Sequence, residues 1–344
     1  MYCKIINKQK ENLNQDFIFS FDYLQLEEKR EQKEYKQMKD KKTDKKKEQN
    51  ELKNNDIFSL NEITISEKLM KINGWQKYTS PVLHSSLVLS LGKYLLVKEK
   101  MDFSLFSLFS LYFVLKDKKE RREEGPIGEH KENFVQIISI YHSLLKVLEW
   151  TESNSLVSLS CNLNNIVFDR DKFCNVKLAD FSHSFFIKDI DIDKDTNTID
   201  LSAFMQIIQI NEFTPLGLKV LHYLKMNKCE SLSSNNIQEI CSGFIEGLKR
   251  FNSLDLFPLD FLQEVEKKCI FSLQSLINKE KERIVLELLK GSSYWDHFSM
   301  SVMFLIMIKV IGQNTNTNKF VSEFTSILLN NILNSRKNEE LTFC

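Results

Sequence analysis

Three rhythms of apolar and polar positions divide the chain. In Glu27–Asp56, Lys and Glu interleave and apolar residues are nearly absent. Such a run predicts a solvated helix or a disordered arm. From 57 to 73 the apolar positions are Ile57, Leu60, Ile63, Ile65, Leu69 and Ile72, a helical stripe. Short aliphatic runs follow at Pro81-Val-Leu, Leu87-Val-Leu and Tyr94-Leu-Leu-Val, with Gly92 as a turn signal. They predict strands. The Phe-Ser-Leu repeats within 101–115 predict a buried helix, and a charged loop fills 117–131. Phe134, Ile137, Ile138, Tyr141, Leu144, Leu145 and Leu148 mark a strong amphipathic helix. Asn165-Ile-Val-Phe and Val176-Lys-Leu-Ala, split by Asp169-Arg-Asp, predict a hairpin. Beyond 200 the pattern is helical, with its clearest pieces at 199–210, 235–250, 259–290, 296–311 and 319–334. The 259–290 piece aligns Leu262, Val265, Cys269, Leu273, Leu276 and Ile277 on one stripe, which faces a core or a partner.

Composition narrows this picture. Of 344 residues, 42% are hydrophobic and 26 are Phe, enough for a sizeable core. Only 9 Gly and 4 Pro favour helix over an all-β design. Basic and acidic residues number 47 each, so neither a nucleic-acid nor an anionic-membrane partner is expected. The longest apolar runs, Phe298–Ile311 and Met101–Leu115, fall short of the roughly 20 residues that span a bilayer. The seven Cys, at 3, 161, 174, 229, 241, 269 and 344, form no Cys-x-x-Cys. Reduced thiols in a cytoplasmic protein are expected, and the N-terminus lacks an apolar signal core. The six His show no paired ligand spacing. Asp189–Asp195 superficially resembles a calcium loop, but Lys194 stands where the sharp turn needs Gly.

The order of elements and several motifs together resemble a protein kinase over about residues 57–186. Asn61-Glu-Ile-Thr-Ile-Ser-Glu-Lys-Leu resembles the family's αC helix. Tyr94-Leu-Leu-Val-Lys-Glu-Lys-Met resembles the last small-lobe strand and hinge, and Ser104-Leu-Phe opens the next helix. Trp150 to Phe168 aligns without a gap to the catalytic-loop region, and Val176-Lys-Leu-Ala-Asp-Phe-Ser resembles the family's Val-Lys-Leu-Ala-Asp-Phe-Gly. The resemblance implies an α+β, two-lobed protein kinase-like fold. Its small N-lobe is degenerate, and its C-lobe is large and mostly helical with extra helices. The expected division is a polar, charged region at 1–56, an N-lobe remnant at 57–100, and a helical C-lobe at 101–344. An insertion or extension is expected around 215–295. Two candidates compete for the helix that anchors the large lobe. Asp296-His-Phe-Ser-Met-Ser-Val fits the family's Asp-x-Trp-Ser-Leu-Gly-Val better than Asp200-Leu-Ser-Ala-Phe-Met-Gln. Ala-Pro-Glu has only a weak counterpart at Gly217-Leu-Lys, after Thr214-Pro215.

The resemblance also implies a site. ATP and Mg²⁺ would be its cofactors, with Asn165 and Asp180 as metal ligands and Glu62 as the αC glutamate of the nucleotide site. The plain alternative has Asn165 capping a turn and Asp180 accepting backbone bonds. Ser160 occupies the catalytic-aspartate position within Ser158-Leu-Ser, where the family has His-Arg-Asp. A hydroxyl does not act as a carboxylate base, and losing a positioned base typically costs ~10²–10⁴ in rate. Asn162 replaces a charge-offsetting Lys. No Gly precedes Gly74, so no glycine-rich phosphate loop lies upstream. Asn50 falls on the position of the ATP-binding Lys, leaving Glu62 without an evident partner. Ser182 follows Asp-Phe where the family has Gly, which restricts that backbone. The expectation is a catalytically impaired pseudokinase that acts as a scaffold or allosteric binder of a protein partner. The alternatives are a divergent active serine/threonine kinase and, less favoured, a small-molecule phosphotransferase of related fold.

Overall fold

The computed structural model describes residues 44–88, 93–99, 101, 103–110, 128–159, 161–168, 175–190, 192–193, 198–199, 202–211, 213–251, 256–312 and 319–333. The protein is α+β, with many helices and four small sheets among these residues.

Helix α1 spans Asp44–Leu69. It begins well before the expected 57, because the Lys/Glu-rich stretch consists largely of good helix formers. Its buried face carries Glu62, Ile65, Ser66 and Leu69, so two polar groups point inward beside two apolar ones. Gly74, at φ 81, turns the chain into the short helix α2, Trp75–Tyr78. Strand β1, Thr79–Ser80, follows, and then β2, Val82–Val88, and β3, Lys93–Lys98, form an antiparallel hairpin. The three β-like runs thus make two longer strands. The expected helix over 101–115 differs more: Phe103–Ser104 is strand β4, and helix covers only 105–110 of the described residues.

Helix α3, Gly128–Ser153, leads into β5, Leu156–Val157. Strands β6, Ile166–Phe168, and β7, Val176–Ala179, form the expected hairpin. Strand β8, Phe185–Phe186, returns to pair with β5. The larger sheet runs in the order β1-β7-β6-β4, with β1 parallel to β7. Strands β9, Ile192–Asp193, and β10, Thr198–Ile199, pair with each other.

The remainder is helical: α4, Ser202–Ile207; α5, Leu216–Asn227; α6, Ser234–Lys249; α7, Leu259–Gln274; α8, Lys281–Leu289; α9, Ser293–Gly312; and α10, Lys319–Leu333. The helix expected over 199–210 is shortened to α4. The helix expected over 259–290 is two helices. Asn278 adopts a left-handed φ of 57, and its N–H donates to Leu232 O at 2.8 Å. Lys281 N–H donates to Glu230 O, also at 2.8 Å. Those bonds to another segment replace the helical ones, and Ser275 and Asn278 are weak helix formers. Periodicity alone could not register the break, because Leu273 and Leu276 stay buried across it.

Among the described residues, one apolar cluster runs from α1 to α10. Its axis is α9, where every residue from Phe298 to Ile308 is buried. A helix apolar on all sides requires neighbours all round. Helices α3 and α10 and strand β5 pack against it. Among the described residues, no helix is long and apolar enough to cross a membrane.

Candidate functional site

The site begins at its floor. The chain leaves β5 at Ser158 and meets the first turn of α9. Ser158 N–H donates to Asp296 Oδ2 and Ser158 Oγ to Asp296 Oδ1, both at 3.0 Å. The Leu159 backbone N–H also bonds this carboxylate. Leu159 sits at φ 48, a left-handed conformation that costs a branched side chain about 1–2 kcal/mol. The bonds to Asp296 hold it there. Ser184 Oγ donates to Ser158 O at 2.5 Å, tying the return strand to the same point. Burial pushes the Asp296 carboxyl up to about 6, and the bonds from Ser158 and Leu159 oppose that rise. Of the two anchoring candidates, Asp296 therefore lies under the loop, and Asp200 lies outside the described residues.

Ser160 also lies outside the described residues. Its neighbours are placed. Cys161 is buried, and burial, with Asp296 adding to it, holds its thiol well above the ordinary value. It is neither a base nor a nucleophile near neutral pH. Asn162 turns inward: its Oδ1 accepts from Asn164 N–H at 2.9 Å and Asn165 N–H at 3.2 Å. It shapes the turn and supplies no cation.

Asn165 and Asp180 come together across the β6–β7 hairpin, because Ala179 N–H donates to Asn165 O at 2.8 Å. Asn165 Nδ2 donates to Asp180 Oδ2 at 3.4 Å. The other carboxylate oxygen accepts from Ser182 N–H at 3.2 Å and Ser182 Oγ at 2.6 Å. Asp180 has φ 60, a left-handed conformation that Asp tolerates better than most residues. Among the described residues, no group of three or more His, Cys, Asp or Glu could hold a metal ion. Two side-chain oxygens can take part in a magnesium site only where bound phosphates complete the shell. A cation here also requires the Asn165 amide to turn and Ser182 to release Oδ1.

Helix α1 forms the wall. Asn61 Nδ2 donates to Ser182 O at 2.8 Å and Ser184 O at 2.9 Å, with a longer contact to Phe181 O at 3.4 Å. Phe58 stacks obliquely on His183, and Lys68 pairs with Asp189 at 2.8 Å. Ser66 Oγ accepts from Val82 N–H, fixing the helix to β2. Glu62, buried beneath this wall, pairs with Lys98 Nζ at 2.5 Å. Lys98 ends β3, 36 residues after Glu62. The sequence reading missed this partner, because it sought the cation upstream of the helix rather than on the strand after it. No local signal marks Lys98 as the partner, since a charged residue at a strand end is ordinarily solvated.

Gly217 lies against α9. A Cβ on it would stand 2.8 Å from Trp295 Nε1, so only Gly fits. Ser299 Oγ donates to Phe213 O at 2.8 Å, so α9 holds the 213–217 segment as well as the 158 loop.

The arrangement offers a cation, Lys98, paired with Glu62 on α1, and a carboxylate, Asp180, beside Asn165. The described part of the loop offers no general base. Compared with known proteins, the chain matches no family model and no curated sequence.

Proposed function

We propose that this protein is a catalytically impaired, kinase-like binding module that works as a scaffold or allosteric partner of another protein. On this reading α1 and the β2–β3 hairpin are the reduced small lobe of a two-lobed fold. The helices around α9 are the large one. One observation carries the proposal. The loop Ser158–Asn165 contains no carboxylate and no imidazole, and its single thiol is buried and held protonated. The frame around that loop is nonetheless held by bonds from Asp296 to Ser158 and from Asn61 to Ser182. A frame kept without the base suits binding and not group transfer.

Bound ATP with Mg²⁺ would supply the phosphate oxygens that Asn165 and Asp180 lack for a complete cation site. Lys98 would offset phosphate charge, and Glu62 would orient Lys98. The same pair favours a second reading, a divergent active serine/threonine kinase. A cytoplasmic location accompanies both.

Thermal unfolding with ATP and Mg²⁺ or Mn²⁺ tests the reading, since a ligand for the folded state raises the midpoint by mass action. The expected result is a rise that Asp180→Ala abolishes, with no phosphate transfer in a radiolabel assay. No rise in the wild type removes the nucleotide from the proposal. Transfer that depends on Asp180 overturns the binding-only role in favour of the kinase.

A further inference from the structure

Helix α5 carries a polar cluster that shares no residue with the site above. Lys219, His222 and Lys225 follow at three-residue spacing, so successive side chains are neighbours on the helix surface. All three are half-buried. The Lys219 ammonium reaches across to α6, where a Cβ on Gly247 would lie 3.6 Å from its Nζ. Arg250, three residues beyond Gly247, closes α6 and is exposed. Its charge bears on Lys219, and Lys219 and Lys225 both bear on the His222 ring. Burial first, and these neighbouring cations second, hold Lys219 and His222 below their ordinary values.

The cluster lacks a counter-charge. Lys225 Nζ donates to Gln206 O at 3.2 Å and Ile208 O at 3.1 Å, neutral carbonyls that leave its charge in place. The side chains of Lys219, His222 and Arg250 make no hydrogen bond or ion pair to the protein among the described residues. The nearby acid Glu239 is engaged by the Tyr223 hydroxyl at 2.7 Å. Elsewhere the pattern is the reverse: Lys68, Lys98, Lys177, Lys268, Lys281 and Lys290 each pair with a carboxylate. Basic groups gathered in partly desolvated ground repel one another, and an anion relieves that repulsion. Arg and Lys donors match phosphate oxygens, the guanidinium as a two-pronged fork. We infer that the face formed by α5 and the end of α6 binds a phosphate-bearing anion, with Arg250, Lys219 and His222 toward its oxygens and Lys225 adding charge from its place on the 206–208 carbonyls. The anion is either a free polyphosphate or a phosphate ester on a peptide side chain.

The test titrates the full-length protein with inorganic pyrophosphate by calorimetry. A chelator removes divalent cations, and sodium chloride keeps the ionic strength constant so that screening does not change. Saturable binding at one site is expected, with a Kd of about 1 mM or tighter. Lys219→Gln and Arg250→Gln should each weaken it at least about tenfold. Each removes a like charge from the cluster, so neither should lower the urea midpoint. Should Lys219→Gln nevertheless unfold, Arg250→Gln, at an exposed position, carries the test alone. Lys267→Gln, on exposed α7 surface, should bind as the wild type does. At fixed pH the His222 ring resonances, assigned with His222→Gln, should move saturably with pyrophosphate while those of His297 stay. N-acetyl-phosphoserine amide in a parallel titration separates the two sources: whichever probe binds more tightly names the anion. Absence of saturable binding by both probes overturns the inference. So does binding that survives Arg250→Gln undiminished, or a shift at His297 and not at His222. No nucleotide or metal enters, so failure here leaves the function proposed above untouched.

Discussion

Two aspartates bound the same stretch of chain and face opposite conditions. Asp296, on the floor, is buried and accepts from Ser158 N–H, Ser158 Oγ and the Leu159 backbone. Asp180, at the mouth, is half-buried and is contacted by Ser182 and Asn165. The floor's donors are backbone groups and a wholly buried hydroxyl, shut off from solvent. The mouth's donors are one backbone N–H and two half-buried side chains, Ser182 Oγ and Asn165 Nδ2, that can turn away. The floor therefore behaves as structure, and the mouth as a site whose polar atoms satisfy one another until a ligand replaces them.

Breaking the floor should have the largest effect. Asp296→Ala orphans buried donors and should cost about 3 kcal/mol or more, read from urea unfolding. Its pH signature is separable. The folded carboxyl lies at about 6 against an ordinary 3.8, so the folded state holds this proton more tightly than the unfolded chain. That contribution to stability is full below about pH 4 and is lost as pH rises through about 6. Asp296→Asn should flatten the stability profile over that window while keeping an acceptor for Ser158.

Overpacking comes next. Gly217→Ala drives a methyl into Trp295 and should cost about 1–3 kcal/mol by the same unfolding measurement. Lys98→Met leaves the buried Glu62 carboxylate without its cation. Since Lys98 is partly solvated, a loss of about 1–2 kcal/mol is expected. Restoration of stability in Lys98→Met/Glu62→Gln would assign that loss to the pair. Asn61→Ala removes the bonds that hold α1 to the 182–184 carbonyls and should cost about 1 kcal/mol. Faster hydrogen exchange in α1, with α9 unchanged, would localise it.

The smallest effect on stability should be the most informative at the mouth. Ser182→Gly removes the hydroxyl donor from Asp180 Oδ1 while keeping the backbone N–H, and should change stability by less than about 1 kcal/mol. It should enlarge any thermal shift given by Mn²⁺ with ATP. A smaller shift in that variant would mean that Ser182 assists the cation rather than competing with it.

Much of the architecture was legible along the chain. The stripe from Phe134 to Leu148, the hairpin around Asn165 and Val176, and the apolar helix after Asp296 all stand where the pattern puts them. Pattern and element agree there because burial on a fixed period leaves its mark on sequence. The helix over 259–290 failed because the bonds that end it come from Glu230 and Leu232, which no local window contains. The site divides in the same way. Asn165 and Asp180 were read from motifs, and the structure brings them together across one hairpin. Lys98 was not read, because its pairing with Glu62 depends on how β3 lies against α1.

The sequence by itself determined which groups are available: no base among Ser158–Asn165, one carboxylate at Asp180, and an even charge balance. Residue identity settles what can ionise and what can ligate. Only the tertiary structure decided which of those groups meet. It placed Asp296 under the Ser158 loop, Lys98 on Glu62, and Asn61 on the Ser182 carbonyl. Each of these contacts joins atoms whose distance depends on the packing of whole elements and on nothing in the chain nearby.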